Sequence, residues 1–304
     1  MKPKYLFLAI FILLGLIWAI ISQLPDGKLH IFFCDVGQGD AIYIRMPNNA
    51  DLLVDGGTPD NKVLNCLGRN MPFYDRTLDL VLMTHPQQDH FGGLISVIKR
   101  YTIKNFVTAP VYNPISAFDE LIAGTNNKNI PVRSVFTGDS IHFGQVTANV
   151  LWPQKDWFEQ MRAMAQVVPK QKSYLGSNLY EFNKNVDLNI FSIYLHLRYG
   201  DFDLLLTGDG DIPLQTQLIR FGIELPQSIE VLKVPHHGSA LALLTSTIDQ
   251  LEPLLSVIEV GKNGYGHPNP TIVESLKKYG QVLRTDQNKT IELVSDGHTW
   301  EIKH

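Results

Sequence analysis

The stretch from Leu78 to Leu94, LDLVLMTHPQQDHFGGL, restricts the fold of this chain more than any other. Leu78, Leu80, Val81, Leu82 and Met83 make a short apolar run, which reads as a strand buried on both faces. The run stops at Thr84-His85-Pro86. Asp89 and His90 follow, then Gly92-Gly93, then an amphipathic segment from Leu94 to Arg100 that predicts a helix. Three side chains that bind metals therefore sit within six residues, where a strand leaves its sheet. In α/β sheets, ligands bind beyond the carboxyl ends of strands. Imidazole and carboxylate together suit zinc or a similar divalent ion. The plainer alternative is a polar loop that happens to hold two histidines.

The same pattern recurs along the chain. A strand from Lys28 to Cys34 leads into Asp35-Val36-Gly37-Gln38-Gly39-Asp40, and a second strand runs from Ala41 to Arg45. The glycines permit a tight loop with close backbone approach. Asp51 to Val54 ends in Asp55-Gly56-Gly57, and a helix is predicted over Asn61 to Asn70. Phe202 to Leu206 runs directly into Thr207-Gly208-Asp209, a geometry that points a carboxylate off a sheet edge. The other Thr-Gly-Asp, ending at Asp139, has no continuous apolar run before it and reads as a turn. Ile229 to Val234 ends in Pro235-His236-His237-Gly238-Ser239. Leu255 to Val260 ends in Gly261-Lys262-Asn263-Gly264-Tyr265-Gly266-His267-Pro268. One loop histidine is usually a surface residue, but histidines at the ends of successive buried strands predict a shared site. Further strands are expected at Phe106 to Pro110 and Asn189 to Leu197, with helices at Phe118 to Ala123 and Ile212 to Phe221. Residues 154 to 185 read as an insertion: a helix near Trp157 to Ala165, then a polar loop with Lys170, Lys172 and Lys184. The last stretch, Val282 to Ile302, predicts a strand and then a hairpin turning at Asp296-Gly297.

His85-Pro86-Gln87-Gln88-Asp89-His90 resembles the metallo-β-lactamase superfamily signature His-x-His-x-Asp-His, in the His-x-Asp-x-Asp-His variant of the ComEC-type competence proteins. DVGQGD, Leu-Leu-Thr-Gly-Asp, His-His-Gly-Ser and Tyr-Gly-His-Pro are similar to motifs of those proteins, and the resemblance covers about residues 28 to 304. It implies an α/β fold, an αββα four-layer sandwich. It also implies metal ligands at His85, Asp89, His90, Asp209 and His267, with Asp209 bridging two metals. Asp55 would support the site without binding metal. Asp89, Asp209, His236 and His237 are the candidate catalytic residues. Asp35, Gln38, Asp40, Ser239 and Lys262 are candidate substrate contacts. One position departs from the pattern: Gln87 stands where a second ligand of the first metal belongs, and near the third the match is Asn189. A neutral amide is a weak zinc ligand. The expectation is one firm divalent ion, zinc or manganese, and a second that is weak or absent, with His236 or His237 able to compensate.

The N-terminus carries a separate signal. Twenty-one residues without a charge lie between Lys4 and Asp26, long enough to span a bilayer as a helix. Lys2 and Lys4 precede them, which predicts a single-pass anchor in the cytoplasmic membrane with the rest outside. A cleaved signal peptide is the rival, although Trp18 to Gln23 offers no good cleavage site. Residues 1 to 27 are thus an anchor and 28 to 304 the hydrolase domain. Cys34 and Cys66 give neither a disulfide framework nor zinc-finger spacing. With 26 basic residues against 30 acidic ones, the surface as a whole does not suit unspecific nucleic-acid binding. The resemblance implies a metal-dependent phosphodiesterase acting on DNA or another phosphodiester polymer, and leaves open whether a separate channel protein is its partner. An envelope phosphoesterase for teichoic-acid-like polymers, or a degenerate binding domain without catalysis, are the alternatives.

Overall fold

The structure, a computed structural model, describes residues 3–21, 26–167, 169–174 and 177–303. Among these residues, alternation within each strand divides the side chains between two cores. In the strand Leu29–Phe33, Leu29, Ile31 and Phe33 point one way and Phe32 the other; in Leu80–Met83, Leu80 and Leu82 oppose Val81 and Met83. This is the period of two that a pleated strand imposes, and the second strand is buried on both faces, as its sequence predicts.

One sheet has eight strands in the order Trp300–Lys303, Ile291–Ser295, Leu29–Phe33, Ile42–Arg45, Asp51–Val54, Leu80–Met83, Phe106–Thr108, Val132–Ser134. A second has seven, in the order Ser140–Phe143, Val146–Trp152, Tyr194–Tyr199, Phe202–Leu206, Val231–Lys233, Leu255–Ile258, Gln281–Arg284. In both, the early neighbours are antiparallel and the later ones parallel. The larger core lies between the sheets and joins Ile31, Ile44 and Leu82 of one to Ala148, Leu195 and Leu204 of the other. The helices Lys62–Asn70, Leu94–Arg100 and Ser116–Asn127 cover the first sheet's outer face through Val63, Leu67, Leu94, Val97 and Leu121. Leu214, Leu218, Ile248 and Leu276 do the same for the second. These are the expected αββα layers.

Four local expectations change. Cys34 and Cys66 form a disulfide, with Cα atoms 5.9 Å apart, because the helix Lys62–Asn70 packs against the end of Leu29–Phe33. The polar loop after the inserted helix Lys155–Met164 is instead a hairpin, Pro169–Tyr174 with Ser177–Glu181, which pairs in parallel with Val111–Tyr112. Asn189 is not in a strand. It lies in a short 3-10 turn, Leu188–Phe191, capped by Asp187, whose side chain accepts the Asn189 N–H at 3.0 Å. Asp89 and His90 lie on a single helical turn, Gln88–Phe91, with His90 buried and Asp89 partly exposed. The N-terminal run is helical over Pro3–Ile21, while Lys2 and residues 22–25 lie outside the described residues. Among the described residues, no helix is long and apolar enough to cross a membrane.

Candidate metal centre

The parallel halves of both sheets deliver their carboxyl ends to one place. Asp55 follows Asp51–Val54, His85 follows Leu80–Met83, Asp209 follows Phe202–Leu206, His237 follows Val231–Lys233 and Glu259 follows Leu255–Ile258. Four buried side chains, Asp40, His90, Asp209 and His237, bring one ligand atom each within 4.8 Å of the others.

The hydrogen bonds settle which atoms face the pocket. His90 Nδ1 donates to Asp55 Oδ2 at 2.8 Å. His237 Nδ1 donates to the Glu259 carbonyl at 2.8 Å; a carbonyl only accepts, so the proton is on Nδ1. Thr84 Oγ1 donates to Asp55 Oδ2 and is 3.1 Å from His85 Nδ1, so it accepts from that ring. In all three histidines Nδ1 is thus engaged, and Nε2 is buried without a hydrogen-bond partner. Asp209 Oδ2 lies 3.2 Å from His90 Nε2 and 3.4 Å from His237 Nε2. Asp89 Oδ2 lies 3.4 Å from His237 Nε2 and is the partly exposed edge of the group. Buried nitrogens with nothing to bond, aimed at a carboxylate, are the donor set a divalent cation needs, held from behind by carboxylate and carbonyl. The residues fit a metal.

Asp40 plays a different part. Its carboxylate lies against Nδ1 of His237, at 3.3 Å, and of His90, at 3.7 Å, behind both rings. It is ion-paired with Lys233, a fully buried lysine. Lys233 Nζ also donates to the Gly208 carbonyl at 2.8 Å and lies 3.7 Å from Asp209 Oδ1. Asp209 therefore turns one oxygen to the histidines and the other to an ammonium. The approach of the DVGQGD loop requires Gly39, with φ +138°: a Cβ there would stand 2.3 Å from the Asp89 carbonyl oxygen.

Charge follows from these contacts. Burial opposes a proton on His237, but Asp209, Asp40 and Asp89 outweigh it and push the pKa up to about 10. Burial and the neighbouring His90 push His85 down to about 3, so it is neutral. Against burial, His237 and His90 hold Asp89 at about 2. A cation must displace the His237 proton, so binding strengthens as pH rises.

The remaining sequence candidates are spread around this centre. Gln87 Nε2 donates to Asn189 Oδ1 at 2.6 Å, so the two amides that stand at first-metal positions are tied to each other. His236 points to Asp211, with Nδ1 3.1 Å from Oδ2. It and His237 both take left-handed backbone, φ 49° and 52°, a strain of roughly 1–3 kcal/mol each that clusters at functional sites. His267 is outside the four-membered group; its ring lies 5.6 Å from that of His236. Gln38 Oε1 accepts the Gly261 N–H at 3.2 Å and pins the neighbouring loop. Ser239 is buried beside the histidines and Lys262 is exposed. Asp35 faces elsewhere, into a cleft of about 570 Å³ shared with Lys62, Arg69 and Lys289. Sequence reading missed Lys233 and Glu259. A lysine inside an apolar strand, and an acid between Ile258 and Val260, were the available signals.

No family model matches the chain. It is 26% identical over 276 residues to ComE operon protein 3 of Bacillus subtilis (strain 168), an alignment covering 85% of this chain and 32% of that protein. It is 22% identical over 264 residues to Recombination protein 2 of Haemophilus influenzae, covering 86% of this chain and 28% of that one. The chain therefore spans about a third of the length of these curated relatives. A metallo-β-lactamase-fold protein from Bacillus subtilis superposes with a TM-score of 0.50 at 12% identity, covering 87% of this chain and 99% of its own. A metallo hydrolase from the archaeon Ignicoccus hospitalis gives a TM-score of 0.51 at 13% identity, over 87% and 98%. The chain has the metallo-β-lactamase-like fold and resembles the ComEC-type proteins in sequence.

Proposed function

We propose that this metallo-hydrolase-fold chain is a membrane-anchored phosphodiesterase that cleaves DNA outside the cytoplasmic membrane. The observation that carries the hydrolytic part is the group of buried histidine Nε2 atoms facing Asp209 and Asp89. A divalent cation held there supplies, when bound, water acidified to a pKa of about 7 and a polarised phosphodiester. The protein's own groups do the rest. Asp55 fixes the His90 ring through Nδ1, and the Glu259 carbonyl fixes His237. Asp89, ionised and partly exposed, accepts hydrogen bonds at the mouth. His236, partly exposed and oriented by Asp211, keeps its proton more readily than a free histidine: burial opposes this, Asp211 and Asp209 outweigh it. On this reading it gives a proton to the leaving oxygen.

DNA as substrate is supported by the resemblance to competence proteins. Anchoring is supported by the uncharged run behind Lys2 and Lys4, which is longer than the described helix. The disulfide suits an oxidising compartment. A channel that delivers the strand is the partner this reading requires.

The test is cleavage of DNA by the full chain in manganese or zinc, using Asp209→Asn and Asp139→Asn as a matched pair. Asp209→Asn keeps shape and removes a charge that two histidines and Lys233 face. Its rate should fall by about a hundredfold or more, roughly 3 kcal/mol at 1.36 per tenfold. Asp139 accepts the Phe136 N–H at 2.8 Å beside a turn, and its variant should stay near wild type. If both variants behave alike, the catalytic assignment fails and a binding domain without catalysis is the better reading. Cleavage of a teichoic-acid-like polymer but not DNA would assign an envelope phosphoesterase instead.

A further inference from the structure

The loop between Gly261 and His267 holds an aromatic ring where packing does not need one. Tyr265 is 78% exposed. A Cβ at Gly264 or Gly266 would meet nothing within 4 Å, so the tip stands clear of the body of the protein. The loop is nevertheless held firmly. Asn263 Nδ2 donates to the carbonyls of Gly261 and His267, both at 2.9 Å. Asn263 Oδ1 accepts the N–H groups of Tyr265 and His267, both at 3.1 Å. One half-buried amide thus ties both ends of the loop and fixes the backbone of the exposed residue.

The ring also points somewhere. Tyr265 stacks on His267, with centroids 5.8 Å apart and planes at 25°. His267 meets His236 edge-on at 5.6 Å, and His236 lies 6.3 Å from His237. A row of rings therefore leads from solvent to the metal centre, and its outer member leaves one face uncovered.

We propose that Tyr265 is a stacking platform for a nucleobase of single-stranded DNA whose backbone lies in the metal centre. An exposed aromatic face held rigid suits stacking, since little conformational freedom remains to be lost on contact. Stacking tolerates any base, because every base has a π face. It also restores binding to a surface whose net charge is negative and which cannot rely on phosphate attraction alone. A polyol-phosphate polymer has no such face. The inference deepens the DNA reading and rests on it.

The experiment measures binding by the full chain in detergent, using a short phosphorothioate oligothymidylate and an abasic phosphorothioate strand of the same length. Wild type should prefer the base-bearing strand by at least about fivefold, the lower end of one stacked base. Tyr265→Ala should abolish that preference without changing abasic affinity, and Tyr265→Phe should keep it. A preference that survives Tyr265→Ala overturns the platform and leaves the DNA reading standing. Equal loss on both strands means that the tyrosine shapes the loop, and also overturns it. Failure of wild type to bind either strand removes the DNA reading and this inference with it.

Discussion

Gln87 and Asn189 show how a single pair of side chains decides what a metal site becomes. Each stands where the resemblance expects a first-metal ligand, and the structure spends both on a 2.6 Å hydrogen bond to each other. An amide is a poor zinc ligand, and one whose oxygen or nitrogen is already engaged is poorer. Wild type should therefore hold close to one tight divalent ion per chain. Gln87→Asp breaks the pair, places a carboxylate near His85 and should raise the metal content. Elemental analysis of both proteins checks this: two tight metals in wild type, or unchanged occupancy in the variant, would be incompatible with it. Lys233 and Asp209 belong to the same argument. Asp209 turns Oδ2 to His90, and the ammonium of Lys233 stands 3.7 Å from its other oxygen.

At the scale of elements, the disulfide is the feature that joins sheet to helix. Cys34 ends the run after Leu29–Phe33, Cys66 lies on Lys62–Asn70, and 32 positions separate them. The loop they close begins with DVGQGD, which places Gly39 against Asp89 and Asp40 behind two histidines. Closing a loop of that length stabilises by roughly 3–4 kcal/mol in the chain-entropy account. Reductant should lower the melting temperature of wild type accordingly and leave a Cys34→Ser, Cys66→Ser double variant unaffected. Identical melting of wild type with and without reductant would show that the bridge does not contribute. Spacing alone did not reveal this bond, because 32 positions along the chain say nothing of distance in space. Helix ends were more legible: Leu94–Arg100 has the boundaries its pattern predicts, since amphipathic periodicity is a local property.

For the whole molecule, the proposed function places the domain outside the cytoplasmic membrane. The disulfide suits that side, where the surroundings are oxidising. If the run behind Lys2 and Lys4 is an anchor, protease added to intact spheroplasts should digest the domain while cytoplasmic proteins survive. Full protection would reverse the topology and remove the oxidising compartment from the argument.

Sequence by itself determined the strands that end in acids and histidines, because alternation and apolar runs are set by neighbours along the chain. Of the four residues brought together, His90, Asp209 and His237 follow such strands or their turns in the sequence, as the turn at Asp139 follows from the lack of an apolar run before it. Tertiary structure alone decided which nitrogen of each histidine faces the pocket, since Asp55, Thr84 and the Glu259 carbonyl come from other strands. It also made Asp40, a candidate substrate contact, a carboxylate buried against Lys233, and set His267 outside the buried group, its ring 5.6 Å from that of His236. Ligand type is written in the chain; the direction of a lone pair depends on what packs behind it, and that is a contact between residues far apart in sequence.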